Sequence, residues 1–244
     1  MPDPGPDQHA FSSPTTTHEF ACLLFDMDGT IIDSTNAIVK YWTRLGEEIG
    51  MSGDQILQTS HGRRSIDVLA LIAPDRANWE YICRVEGAIP KDYGADAVEI
   101  QGSRALLDRL QAGGAKWAIV TSGTRLLVGG WLDVMGLAQP EVLVTAEDVE
   151  RGKPDPACYR LGARRLGFDQ GQLDVLVLED APAGVKAGKA AGFKVVALAT
   201  THGIQQLKDA GADWIVEDMR SVTMKKVDAD SGKVVIEIKN ALVG

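Results

Sequence analysis

The chain has 244 residues, 25 Lys+Arg against 34 Asp+Glu, and a formal net charge of −9. That balance argues against nucleic acid as a partner, since such binders present a basic face. The 45% hydrophobic and 24% charged content is ordinary for a soluble globular protein, excludes disorder over the whole length, and comes with enough chain to build a real core.

Residues 1–19 carry Pro2, Pro4, Gly5, Pro6 and Pro14 among Ser and Thr and are expected to form a disordered tail. Ala21–Phe25 reads as a short buried strand stopped by Asp26. From Thr35 the period turns helical: Ala37, Ile38, Tyr41, Trp42, Leu45 and Ile49 share a face, and Gly50 ends it. Tyr41 and Trp42 thereby read as packing residues. Helical text continues to about Ala88, punctuated by Pro74 and Pro90, with no convincing strand between Ile32 and Ile100. After Gly102 helix and strand alternate: a helix capped by Ser103, a strand over 116–120, a helix over 126–135, a strand over 142–145, a helix over 156–166, a strand over 173–178, a helix over 183–191 and a strand over 194–199. The stretches 222–227 and 233–238 flank Asp228–Gly232 as a hairpin.

This alternation implies βαβ crossovers, hence an α/β fold around a parallel sheet. The expected organisation is a core from 20–33 and 101–244, interrupted by a helical domain over 34–100. Cys22, Cys83 and Cys158 are scattered and form neither a disulfide framework nor a zinc site. No apolar run approaches the roughly 20 residues of a membrane span, and the first cation is Lys40, unlike a secretory leader. A cytoplasmic monomer that touches neither membrane nor nucleic acid is expected.

In parallel α/β sheets ligands bind at the carboxyl ends of the strands, and chemistry-bearing residues stand there. Asp26 and Asp28, two apart, suit a hard cation such as Mg²⁺, and Asp26 could act as a nucleophile; a plain turn is the alternative. Thr121-Ser122-Gly123-Thr124 opens a helix and could cradle an anion, or simply cap. Lys153, between Gly152 and Pro154, could neutralise phosphate charge or be a solvated turn lysine. Glu179-Asp180 follows a buried strand and needs a metal or an Arg partner as compensation. Together the stations supply a metal, an anion site and a nucleophile for phosphoryl transfer.

In this order the motifs resemble those of the haloacid dehalogenase (HAD) superfamily of phosphohydrolases: FDMDGT at 25–30, Thr121, Lys153 in GKPDP, and Glu179-Asp180. The resemblance implies a HAD-like Rossmannoid core with an inserted all-helical C1 cap. SHGRRSIDVLALIAPD, VEGAIPKDYG, KWAIVTSGTR and LEDAPAGVKAGKAAG are similar to the fungal glycerol-3-phosphate phosphatases and the related 2-deoxyglucose-6-phosphate phosphatases; Arg63 and the Pro-rich start depart from them. By resemblance Asp26 attacks phosphorus to form an aspartyl-phosphate and Asp28 is the acid and base. Mg²⁺ is held by Asp26, the Asp28 carbonyl and Asp180, with Glu179 nearby, and Thr121, Ser122 and Lys153 hold phosphoryl oxygens. Arg64 and His61 of the cap and Arg125 are candidate substrate contacts. The implied activity is hydrolysis of a small phosphorylated polyol or sugar, with glycerol phosphate first and 2-deoxyglucose-6-phosphate next; a phosphomutase and a non-catalytic binding protein are the alternatives.

Overall fold

Residues 11–60, 62–168 and 174–243 are described by the structure, a computed structural model. In chain order, β1 (Thr16–Phe20), β2 (Cys22–Phe25) and β3 (Ile32–Asp33) precede four helices: α1 (Thr35–Ile49), α2 (Gly53–Ser60), α3 (Ser65–Ile72) and α4 (Trp79–Tyr93). The chain returns through β4 (Val98–Glu99) to α5 (Ser103–Ala112), β5 (Trp117–Val120), α6 (Arg125–Met135), β6 (Val142–Val144) and α7 (Ala157–Arg165). Then follow β7 (Val175–Glu179), α8 (Pro182–Ala190), β8 (Lys194–Leu198), α9 (Ile204–Asp209), β9 (Trp214–Val216), β10 (Val222–Val227) and β11 (Val234–Ile238).

The main sheet has the order β6-β5-β2-β7-β8-β9, all parallel. Its strands are near-continuous apolar runs because helices cover both faces. Period-two alternation sorts the side chains. Leu23, Phe25, Ile119, Leu176, Leu178 and Val196 face α5, α6 and the inserted helices. Cys22, Leu24, Val120, Val177 and Val195 face α7, α8 and α9. With β2 central, its carboxyl end opens at the middle of the sheet edge, between the ends of β5 and β7.

Helices α1–α4 lie between β3 and β4, and we call them the cap. The two connecting segments pair antiparallel, Ile32 with Glu99 and Asp33 with Val98. These strands are absent from the sequence reading because two-residue strands leave no periodicity to detect. The cap docks through α4 on α6. A Cβ on Gly87 would stand 2.9 Å from Leu126 Cβ, and one on Gly130 would stand 2.8 Å from Pro90 Cγ, so the two glycines permit the close approach. Pro90, expected to punctuate, sits inside α4, where it packs against Gly130.

The expected tail over 1–19 needs correction. Thr16–Phe20 forms an antiparallel ladder with β11, which also pairs with β10, the expected hairpin partner. The composition of the first residues hid a strand whose partner lies some 220 residues away. Ser103 is also not the cap of α5: Gly102 takes that place with φ 92°, and the Ser103 hydroxyl donates to the Ile31 and Ile100 carbonyls at 2.8 and 2.7 Å. Among the described residues no helix is long and apolar enough to cross a membrane, and Cys22, Cys83 and Cys158 are free thiols.

Candidate active site

Asp26 follows β2 directly, and its backbone N–H donates to the Leu178 carbonyl at 3.0 Å, which ties the end of β2 to β7. Met27 turns into the core, so Asp26 and Asp28 both line one cavity. Ser34 Oγ donates to Asp28 Oδ1 at 2.5 Å. Gly29 has φ 88°, and a Cβ there would lie 2.3 Å from Asp180 Oδ2; only glycine lets this loop close over the second acidic station.

Glu179 and Asp180 end β7 with different surroundings. Glu179 Oε1 accepts from Lys153 Nζ at 2.6 Å and Tyr159 OH at 2.7 Å, and Oε2 accepts from the N–H groups of Asp180 and Ala181 at 3.0 and 3.1 Å. Four donors fill the lone pairs of a carboxylate. Asp180 instead receives the hydroxyls of Thr30, at 3.3 Å, and Thr201. Lys153 Nζ donates to Asp26 Oδ1 as well as Glu179, so one buried ammonium joins the first and last stations. Gly184 makes room for this: a Cβ there would stand 1.6 Å from Glu179 Oε1.

Oxygens of Asp26, Glu179 and Asp180 lie within 4.8 Å of one another. Burial pushes the Asp26 carboxyl well above its usual range; Lys153 pulls it back, while Glu179 and Asp180 push it further up. Burial, then Glu179, raises Asp180 to about 7. Burial also raises Asp28 against the opposing Ser34 hydrogen bond. Burial works against the Lys153 ammonium, yet Asp26 and Glu179 more than reverse it and hold it charged. Asp26, Glu179 and Asp180 crowd their carboxyl oxygens beside one ammonium, and the raised Asp26 and Asp180 mark a group of acids short of positive charge. Oxygen donors so placed fit a hard divalent cation.

Thr121 follows β5 directly; its Oγ1 accepts from the Gly123 N–H at 3.0 Å. The helix N-terminus that follows is not the anion cradle its sequence suggests. The N–H of Thr124 donates to Glu86 Oε2 at 2.8 Å and that of Arg125 to Glu147 Oε1 at 3.0 Å, so carboxylates of this chain already occupy it. Thr121, Ser122 and Lys153 remain to face an anion in the cavity.

The cap candidates fare differently. Arg64 does not line the cavity. It is 4% exposed: Nη1 donates to the Val149 and Ala146 carbonyls at 2.6 and 3.3 Å, Nη2 to the Glu150 carbonyl at 2.9 Å, and Nε to Asp67 at 2.8 Å. It is a latch from cap to core, which corrects its expected role as a substrate contact. Its neighbour Arg63 lines the cavity instead. Arg125 also lies outside, half exposed and paired with Asp148 at 3.0 Å, a second correction. His61 lies outside the described residues. Ser122 Oγ donates to the Gly62 carbonyl at 2.9 Å and so fastens the cap loop to the end of β5.

Residues not singled out from sequence complete the wall: Ser34, Glu86, Thr201 and His202. Glu86 sits on the buried stripe of α4 with Ile82 and Ile89, and an acid on an apolar stripe is the signal that could have marked it. Its carboxylate accepts from Ser65 Oγ, and burial raises it to about 7. The cavity these residues enclose measures about 110 Å³.

The family model for haloacid dehalogenase-like hydrolases matches residues 23–198. The chain belongs to this family. It is 41% identical over 218 residues to glycerol-1-phosphate phosphohydrolase 1 of Saccharomyces cerevisiae, covering 86% of this chain and 87% of that one. It is 35% identical over 236 residues to 2-deoxyglucose-6-phosphate phosphatase 1 of the same yeast, covering 90% and 95%. Hexitol phosphatase A of Escherichia coli is 35% identical over 224 residues, covering 88% and 98%. The fold matches that of a hydrolase from Pseudomonas syringae with a TM-score of 0.68 at 24% identity, over 81% of this chain and 94% of that one. The HAD-like resemblance read from the motifs, the α/β fold and the hydrolase class all hold.

Proposed function

We propose that this protein is a Mg²⁺-dependent phosphatase that hydrolyses a small phosphorylated polyol, glycerol phosphate first, through an aspartyl-phosphate. One observation carries the reading: Lys153 bonds Asp26 and Glu179 at once, so a carboxylate nucleophile and a fixed cation stand together in one cavity. A dianionic phosphate repels an attacking carboxylate unless positive charge stands between them.

Asp26, Asp180 and the Asp28 carbonyl are the assigned metal donors. Glu179, its lone pairs already filled, serves as the anchor of Lys153. Mg²⁺ held there would supply positive charge to offset the repulsion between a phosphate and the carboxylates. Asp26 Oδ attacks phosphorus, the bond from phosphorus to the alcohol oxygen breaks, and Asp28, steadied by Ser34, gives the leaving oxygen its proton. Asp28 then takes a proton from water as that water attacks phosphorus, which releases inorganic phosphate and restores Asp26. Thr121, Ser122 and Lys153 hold the phosphoryl oxygens throughout.

The similarity to a glycerol-1-phosphate phosphohydrolase favours a short substrate. A sugar phosphate such as 2-deoxyglucose-6-phosphate is the second reading, supported by the 35% identical 2-deoxyglucose-6-phosphate phosphatase. The intact Asp26, Asp28, Thr121, Lys153 and Asp180 set speaks against a non-catalytic protein. The free thiols and net charge of −9 fit a cytoplasmic setting without nucleic-acid partners. Phosphate release from a panel of glycerol phosphates and sugar phosphates tests the reading. Release is expected to stop with EDTA and return with Mg²⁺; a mutase would release little phosphate, and turnover indifferent to EDTA would refute the metal role.

A further inference from the structure

Among the described residues, three buried side-chain polar atoms have no hydrogen-bond partner: Tyr41 OH, Ser60 Oγ and Trp131 Nε1. Trp131 lies in the packed core. Tyr41 and Ser60 both line the active-site cavity, at 7% and 6% exposure. A buried hydroxyl without a partner costs about 1–3 kcal/mol, and here two of them belong to residues that line one cavity, an arrangement that a ligand reaching them would relieve.

Their surroundings define that ligand. Around them the cap presents Ile38, Trp42 and Ile89, apolar surface suited to a carbon chain, and the Glu86 carboxylate. Burial, then the charge of Glu86, pushes the Tyr41 phenol up, so it stays a neutral donor. Glu86 also opposes a second phosphate at this end. The cations of the cavity are Lys153 on the core side and Arg63, whose backbone N–H donates to the Ser60 carbonyl at 3.1 Å.

We infer that Tyr41 OH and Ser60 Oγ form a subsite in the cap that binds the neutral hydroxyls of the substrate, selecting short polyols with a single phosphate. Tyr41, which the helical pattern reads as packing only, thereby becomes a specificity residue. The inference rests on the phosphatase reading for its account of turnover, and on the cavity alone for binding.

The test compares glycerol-1-phosphate with 1-propyl phosphate, which has the same chain and no free hydroxyl. The wild-type enzyme is expected to prefer the glycerol ester. Tyr41→Phe and Ser60→Ala should each lower the ratio of the two kcat/KM values about 3- to 10-fold. Their Tm should hold or rise by about 1–4 °C, because each removes an unpartnered buried hydroxyl; a merely structural role would lower it. Calorimetric binding of both esters to Asp26→Asn separates the two readings. If that variant distinguishes the esters while wild type releases no phosphate, the subsite stands and the phosphatase reading falls. If wild type hydrolyses both esters equally well, or Tyr41→Phe and Ser60→Ala leave the ratio unchanged, the subsite is refuted and the phosphatase reading stands.

Discussion

The two walls of the active-site cavity differ in what they leave unpaired. On the core wall polar groups are bound to one another: Lys153 holds Asp26 and Glu179, Glu179 accepts four donors, and Asp180 takes two hydroxyls. On the cap wall Tyr41 and Ser60 bury hydroxyls with nothing to meet them. A group that must be in place before the substrate arrives is fixed by the protein. A group whose partner is the substrate is left open, at a cost in stability.

Changes to the core wall should therefore abolish chemistry, and changes to the cap wall should shift preference. The largest effect is expected from Asp26→Asn: kcat for phosphate release should fall by about 10³-fold or more, with little change in Tm, since Glu179 still pairs with Lys153. Retained turnover would remove Asp26 from the nucleophile's role. Gly184→Ala comes next. Its methyl would occupy the place of Glu179 Oε1, so kcat should drop about 10²-fold through misplacement of Lys153, and denaturant unfolding should show a loss of about 2–4 kcal/mol; a wild-type Tm would break the claim that Glu179 is pinned there.

Arg64→Ala sharpens the comparison, because it loosens the cap without touching the cavity. It should lower kcat/KM about 10-fold for all phosphate esters alike. A changed substrate ranking would return Arg64 to direct contact. The smallest effect belongs to Asp148, remote from both walls. Burial raises its carboxyl, but the Arg165 hydrogen bond and the Thr145 N–H and hydroxyl bring it down to about 2, from an unfolded value of 3.8. Its stabilisation is complete above the unfolded value and is lost as pH falls from about 4 through 2, amounting to about 1–2 kcal/mol. In Asp148→Asn the stability measured by urea unfolding should fall less steeply across that window than in wild type.

The strand-end stations were legible because a parallel sheet must open its ligand site there, and acids directly after an apolar run have few other reasons to exist. What joins them was not. Nothing in GKPDP tells that Lys153 reaches Glu179 as well as Asp26. Arg63 and Arg64 are adjacent, and only the start of α3 decides which faces the cavity and which grips the Val149 and Glu150 carbonyls. The ends of the sheet were hidden for a similar reason. β1 finds β11 across most of the chain, and β3 finds β4 across the whole cap, pairings that local periodicity does not encode.

The ribbon of β3 and β4 has an evolutionary consequence. Because Asp33 and Val98 stand opposite each other, everything between them leaves and re-enters the catalytic body at one point. Such a cassette can be lengthened, recombined or exchanged without altering the register of a single strand in the parallel sheet. Selectivity can thus drift from one phosphate ester to another while the hydrolytic machinery is inherited intact.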